Sequence, residues 1–368
     1  MKIKSAFSTQ DTADASVNEL ATNLAPLNPK MVLFFASTKY DPESICQQMQ
    51  DAFPQSQVFG CSTSGEITSG QMFSNGIVAM AFSDVALQDL SIQVVEDLQD
   101  GQALSDAFAA FEAHVQAPMA ELDPSKYVGL LLIDGLAGAE EAFIESIGDL
   151  TNVIFIGGSA GDDLKFAATQ VYANGKSYRN AAILALLKPG VEFTFIKTQS
   201  FRDLGKTLEV TRADESRREV IEFNGKPAAV GYAEAVGTTV DKAPEFFMQN
   251  PVGLFIDDEP YVRSPQQIQG TSILFYCGVV EGMELSLLES TDMIEDTRQA
   301  IEQAREDLGG ISGIINFNCI LRTLELTQKN RTADYGKLFE GVPTVGFSTY
   351  GEQFIGHINQ TATMLVFK

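Results

Sequence analysis

Histidine, cysteine and basic side chains are all scarce in this chain of 368 residues. Any imidazole chemistry must run through His114 or His357, because the sequence contains only two histidines. Cys46, Cys61, Cys277 and Cys319 are widely separated and form no CxxC pair. That spacing argues against a disulfide framework, a zinc site built on Cys and His, and a c-type haem attachment site. Lys and Arg number 25 against 49 Asp and Glu, a net charge of −24. Nucleic acid and anionic membrane surfaces both need clustered bases to displace counterions, so neither is an expected partner. No window approaches the roughly 18 apolar residues of a membrane span, and Met1 to Ala13 lacks the apolar segment of a signal peptide. The expectation is a soluble, cytoplasmic protein of about two domains.

What the chain does contain is a pattern that occurs three times. A short apolar run leads through a polar loop and a helix to a second apolar run, then to a Gly/Ser-rich loop with an acidic residue, then to another strand. In the first copy Met31 to Phe35 precedes a helix opening at Asp41-Pro42, an N-cap followed by proline at the first helical position. Val58-Phe59 then enters Gly60-Cys61-Ser62-Thr63-Ser64-Gly65-Glu66, and Ile77 to Phe82 returns. In the second, Leu130 to Ile133, a helix over Glu140 to Leu150, Val153 to Ile156, the loop Gly157-Gly158-Ser159-Ala160-Gly161-Asp162 and Ala181 to Leu187 follow the same order. In the third, Ile314-Ile315 runs into Asn316-Phe317-Asn318-Cys319, and Thr344-Val345 into Gly346-Phe347-Ser348-Thr349-Tyr350-Gly351-Glu352, before a last strand over Ile358 to Phe367. Parallel βα units joined to antiparallel ribbons predict an α/β fold of mixed sheets in two modules. The charged stretch Thr211 to Val220 reads as the boundary, giving modules 1–215 and 216–368. Beyond it, Asn224-Gly225 signals a tight hairpin turn and several short strands follow.

These motifs resemble the FIST family. Val58 to Glu66 is similar to the FIST N-terminal module. The C-terminal module is matched by Glu222-Phe223-Asn224-Gly225-Lys226-Pro227-Ala228, Tyr261-Val262-Arg263-Ser264-Pro265, Asn318-Cys319-Ile320-Leu321-Arg322, Gly346 to Glu352 and Gly356-His357-Ile358-Asn359-Gln360-Thr361. The resemblance implies a sensory protein that binds a small ligand, such as an amino acid, rather than a catalyst. Some stand-alone members are cytoplasmic haemoproteins that sense nitric oxide and regulate a histidine kinase. It thus implies haem b as a candidate cofactor, and a histidine kinase or cyclic-di-GMP enzyme as a partner.

The candidate site residues follow from chemistry. A haem iron needs an axial ligand, most often histidine. His114 lies beside the apolar stripe Leu104, Phe108, Phe111 and Val115 of a predicted helix, which suits a solvated surface group. His357, just past the third Gly/Ser loop, is the better metal ligand. Arg322, at a strand-to-helix junction, suits a carboxylate or a haem propionate, and Arg263 is the other base in a family motif. An ion pair within so acidic a protein is the plain alternative for each. Ser62, Thr63, Ser159, Ser348, Thr349 and Glu352 belong to loops placed to border a pocket, and Cys319 adjoins one. Equivalent loop positions are expected for Glu66, Asp162 and Glu352, as caps of nearby amides or ligands of a hard cation. Cys61 and Cys319 read as small buried groups or redox-sensitive thiols. The string Gly157-Gly158-Ser159-Ala160-Gly161 matches a nucleophile elbow with His357 as its base, but a strand and turn follow where a helix is required.

Overall fold

The computed structural model describes residues 2–256 and 259–368. They form two compact units. One comprises Met1–Lys197, Thr297–His357 and Ala362–Lys368, and the other Thr198–Asp296 and Ile358–Thr361.

The first unit consists of the three repeats, each longer than its sequence signature by a leading strand and helix. Repeat 1 runs β1 (Ile3–Ser8), α1 (Ala13–Leu24), β2 (Met31–Ser37), α2 (Pro42–Ala52), β3 (Gln57–Thr63), a ribbon of β4 (Glu66–Thr68) and β5 (Gln71–Phe73), and β6 (Ile77–Phe82). Repeat 2 runs β7 (Leu87–Glu96), α3 (Gly101–Val115), β8 (Val128–Ile133), α4 (Glu140–Leu150), β9 (Phe155–Ser159), a ribbon of β10 (Val171–Ala173) and β11 (Lys176–Tyr178), and β12 (Ala181–Pro189). Repeat 3 opens with β13 (Phe193–Gln199). The second unit then intervenes, with β14 (Phe201–Asp214), β15 (Glu219–Phe223), β16 (Lys226–Pro227), α5 (Ala228–Val236), β17 (Val252–Ile256), β18 (Glu259–Arg263), β19 (Pro265–Gln269), β20 (Ser272–Phe275) and β21 (Glu284–Ser290). Repeat 3 resumes with α6 (Met293–Leu308), β22 (Gly313–Cys319), α7 (Ile320–Gln328), α8 (Thr332–Lys337), β23 (Thr344–Thr349), a ribbon of β24 (Glu352–Phe354) and β25 (His357–Ile358), and β26 (Thr361–Phe367).

The repeats exchange their ribbons in a ring. The sheet of repeat 1 has the order β1-β6-β2-β3-β10-β11, so it ends on the ribbon of repeat 2. The repeat 2 sheet, β25-β24-β9-β8-β12-β7, takes the ribbon of repeat 3, and the repeat 3 sheet, β13-β26-β22-β23-β4-β5, takes that of repeat 1. Inner-face side chains from all three sheets, among them Phe35, Leu132 and Phe317, form one hydrophobic cluster. Strands buried on both faces read as continuous apolar runs, as β2, β6 and β8 do. The helix starts follow local chemistry: Asp41 accepts from Ser44 N–H at 2.9 Å at the start of α2, with Pro42 at the first helical position.

In the second unit, Val210, Phe223, Tyr232 and Leu285 belong to a separate core. Asn224 and Gly225 both adopt positive φ, 52° and 70°, in the hairpin turn between β15 and β16. The charged stretch 211–220 forms the β14–β15 hairpin, which pairs Asp214 with Glu219; Arg212, Glu215 and Arg217 are exposed, and Glu219 and Val220 are buried.

Candidate functional site

The three Gly/Ser segments meet one another. Ser348 N–H donates to the Gly65 carbonyl at 2.8 Å, Gly161 N–H to the Ser62 carbonyl at 3.0 Å, and Ser159 N–H to the Gly351 carbonyl at 2.9 Å. Each segment begins as strand rather than loop: β3 reaches Thr63, β9 reaches Ser159 and β23 reaches Thr349. Ser62, Thr63, Ser159, Ser348 and Thr349 are buried, and Glu352 with them. Thr349 Oγ1 donates to the Ser159 carbonyl at 2.7 Å. Much of the polar chemistry here therefore joins one repeat to the next.

Glu66 and Glu352 hold equivalent register positions, opposite Phe347 and Gly158, but Asp162 does not share them. Val171 takes that place, opposite Cys61. A longer connection in repeat 2 leaves Asp162 before the ribbon, where it accepts from the amides of Phe166, Ala167 and Ala168 and from the Tyr350 hydroxyl. Burial raises its pKa, but these four donors outweigh it and hold the carboxyl below its ordinary range. Among the described residues no group of three or more His, Cys, Asp or Glu side chains is arranged to hold a metal ion.

His357 packs on Gly351, and its Nδ1 lies 3.1 Å from Gln353 Nε2, which also donates to Ser159 Oγ at 3.2 Å. Gln353 thus stands between Ser159 and His357 where a nucleophile and its base would need direct contact. His114 is exposed on α3 and bonds Asp89 at 2.9 Å. Cys61 is fully buried and burial pushes its thiol well above the ordinary range, the opposite of a redox-sensitive thiolate. Cys319 is buried at the start of α7. Arg263 belongs to the second unit, half-buried at the end of β18 with no partner for its Nε among the described residues.

Arg322 stands apart. Strand register makes Phe34, Leu131 and Asn316 equivalent, opposite Gly60, Gly157 and Gly346, and likewise Ala36, Ile133 and Asn318. In repeats 1 and 2 these positions pack into the apolar layer between sheet and helices. In repeat 3 the equivalent positions are polar and have polar neighbours: Asn316, Asn318, Thr297 and Tyr335 are all fully buried, and Arg322 is 2% exposed. Arg322 Nε donates to Asn318 Oδ1 and its Nη2 to Thr297 Oγ1, each at 3.0 Å. The guanidinium lies 5.8 Å from the Tyr335 ring centre. Tyr335 comes from α8, a helix with no counterpart between the parallel strands of the other repeats. Asn316 Nδ2 reaches the Tyr335 hydroxyl at 3.3 Å. Among the described residues Arg322 Nη1 and Asn316 Oδ1 have no hydrogen-bond partner. A buried cation bonded only to neutral groups costs several kcal/mol unless something compensates it.

Arg322 stands out in the sequence by its charge at a strand-to-helix junction, and Asn316, Tyr335 and Thr297 do not. The overlooked signal is alternation, because Ile315-Asn316-Phe317-Asn318 puts polar side chains on one face of a strand that the composition presents as a loop.

The family comparisons agree with this architecture. The FIST N domain matches residues 30–226 and the FIST C domain residues 228–355. The chain is 20% identical over 277 residues to an uncharacterized protein of Methanocaldococcus jannaschii, a match covering 70% of this chain and 53% of that one. It therefore spans about half the length of the curated relative. With both modules matched in order, the chain belongs to the FIST family, whose domains are small-ligand sensory modules of signal transduction.

Proposed function

We propose that the chain senses a small carboxylate-bearing metabolite, an amino acid in the first instance, at Arg322, without chemistry. The observation that carries this reading is the buried guanidinium whose Nη1 has no partner among the described residues. Nε and one N–H of Nη2 are used in positioning, which leaves the end of the fork for an oxyanion. Asn316 Oδ1, on the amide whose Nδ2 bonds the Tyr335 hydroxyl, is an acceptor for an ammonium or hydroxyl group. Glu352 acts electrostatically on Tyr335. Occupancy then shifts the population of the state read by a partner, for which the family resemblance supports a histidine kinase or a cyclic-di-GMP enzyme.

A thermal-shift and calorimetric screen of amino acids and simple carboxylates tests this. One ligand should stabilise saturably, by about 3 kcal/mol at a hundredfold excess over Kd, and Arg322→Ala should remove the shift. A flat screen, or a screen in which no ligand's shift depends on Arg322, refutes it.

Haem b on His357 with nitric oxide as signal is the reading the geometry favours less. The imidazole would have to leave Gln353 before it could reach an iron. Titration with haemin should give no stoichiometric Soret complex; a complex abolished by His357→Ala would reverse this preference.

A further inference from the structure

Where repeat 3 places Arg322, three residues beyond the last residue of β22, repeat 1 places Tyr40, three beyond the last residue of β2. Beside Tyr40 is a cavity of about 210 Å³, lined by Thr38, Tyr40, Ser62, Gln170, Tyr172 and Arg179 among others. Its walls come from two repeats, because Gln170 and Tyr172 arrive on the exchanged ribbon of repeat 2.

Most polar groups around it are already committed. Tyr40 donates its hydroxyl to the Gln10 carbonyl at 2.6 Å, and Thr38 donates to Asp163 at 2.7 Å and accepts from Lys165 at 2.9 Å. Ser62 Oγ accepts from Gln170 N–H at 3.0 Å, and Ser62 N–H donates to the Gln170 carbonyl at 2.9 Å, which fixes the backbone of Gln170. The Tyr172 ring is stacked on Phe34 at 5.5 Å and 6°, a rigid apolar wall.

Two groups remain. Gln170 is 7% exposed, and its Oε1 is buried with no partner among the described residues. Arg179 is exposed at the cavity and makes no ion pair among the described residues, in a chain with nearly two acids for every base. A buried acceptor without a donor marks a missing partner, and a spare guanidinium in a chain of net charge −24 is a local site for an anion.

We propose that this cavity is a second ligand site, separate from Arg322, for a small acid that carries a donor next to its carboxylate. The carboxylate meets Arg179, and the neighbouring N–H or O–H donates to Gln170 Oε1. The cavity lies below the roughly 300 Å³ at which drug-sized pockets begin, so the ligand has few heavy atoms. α-Amino and α-hydroxy acids with a methyl-sized side chain have this chemistry.

The test uses the full chain and three probes of nearly equal size: L-alanine, L-lactate and propionate, which share a carboxylate and differ in the α-substituent. Calorimetry should show saturable binding of alanine or lactate, at least about tenfold tighter than propionate. Arg179→Ala, an exposed position that leaves folding intact, should weaken that binding at least about tenfold. Gln170→Met, which keeps the shape and removes the acceptor, should bring the favoured acid down to the level of propionate. Arg322→Ala should leave all three values unchanged, so this site and the Arg322 site succeed or fail separately. No saturable binding of any probe overturns the proposal, as does binding unaffected by Arg179→Ala and Gln170→Met. Binding lost in Arg322→Ala also overturns it, and assigns the acid to the Arg322 site.

Discussion

Gly157→Ala is expected to abolish the folded protein. Gly157 lies on β9 opposite Leu131, and a Cβ there would come within 1.7 Å of the Leu131 carbonyl oxygen and 2.6 Å of its carbon. Both are backbone atoms in a central parallel pair, so neither can move without breaking the β8–β9 ladder. β9 also pairs with β24 of repeat 3, so the damage reaches the ring of exchanged ribbons. A loss above about 4 kcal/mol is a large share of the 5–15 kcal/mol that separates folded from unfolded domains. Gly148 on α4, where a Cβ meets nothing within 4 Å, is the control. Gly148→Ala should keep or raise stability, by up to about 1 kcal/mol. Soluble yield and urea unfolding of the two variants read the contrast; similar behaviour would mean that the strand approach is not essential.

Raising the pH should weaken the protein through Glu66, and Glu66→Gln should remove most of that loss. Burial is the main effect and pushes the Glu66 carboxyl up to about 8, against the Thr63 hydroxyl and the Gly76 amide, which favour the charged form. The folded pKa thus lies above the ordinary value near 4.3, so the folded state holds its proton more tightly than the unfolded chain. This contribution is complete below about pH 4, declines from there and is gone above about pH 8; its full size is on the order of 5 kcal/mol. Glutamine keeps the shape, with its carbonyl for Gly76 N–H and its amide for Thr63. Urea midpoints at pH 5, 7 and 9 should fall more steeply for the wild type than for Glu66→Gln. Asp162 acts in the other direction. Its lowered pKa gives stability that is present above the ordinary carboxylate range and lost only as pH falls below it, outside this window. Parallel curves for the two proteins would contradict the assignment to Glu66.

The repeats, the acidic register positions of Glu66 and Glu352, and the place of Arg322 at a strand-to-helix junction are legible in the sequence, because each rests on spacing along the chain. What connects the repeats is not. Ser64 and Ser348 are backbone partners almost three hundred residues apart, and the ribbon that closes each sheet comes from another repeat. Glycine, serine and threonine at the ends of β3, β9 and β23 have the composition of loops, yet they are buried strand, where small side chains let neighbouring backbones approach. Arg212, Glu215 and Arg217 read as a module boundary for the opposite reason, since the exposed positions of a hairpin need no apolar residues. For Arg322 the residue is apparent and its surroundings are not. An acid-rich sequence suggests an ion pair, whereas the fold surrounds the guanidinium with Asn318, Thr297 and Tyr335.

Urea unfolding of Arg322→Met without ligand, followed by the ligand shift of the same variant, tests the central claim most directly. A guanidinium kept for a ligand is a cost to the empty protein. Methionine fills similar space, so the variant should keep its stability or gain up to about 3 kcal/mol, and its ligand-dependent shift should vanish. If Arg322 instead completes a structural network, the variant should lose about 3–5 kcal/mol while the shift per bound ligand persists, and that result would contradict the account.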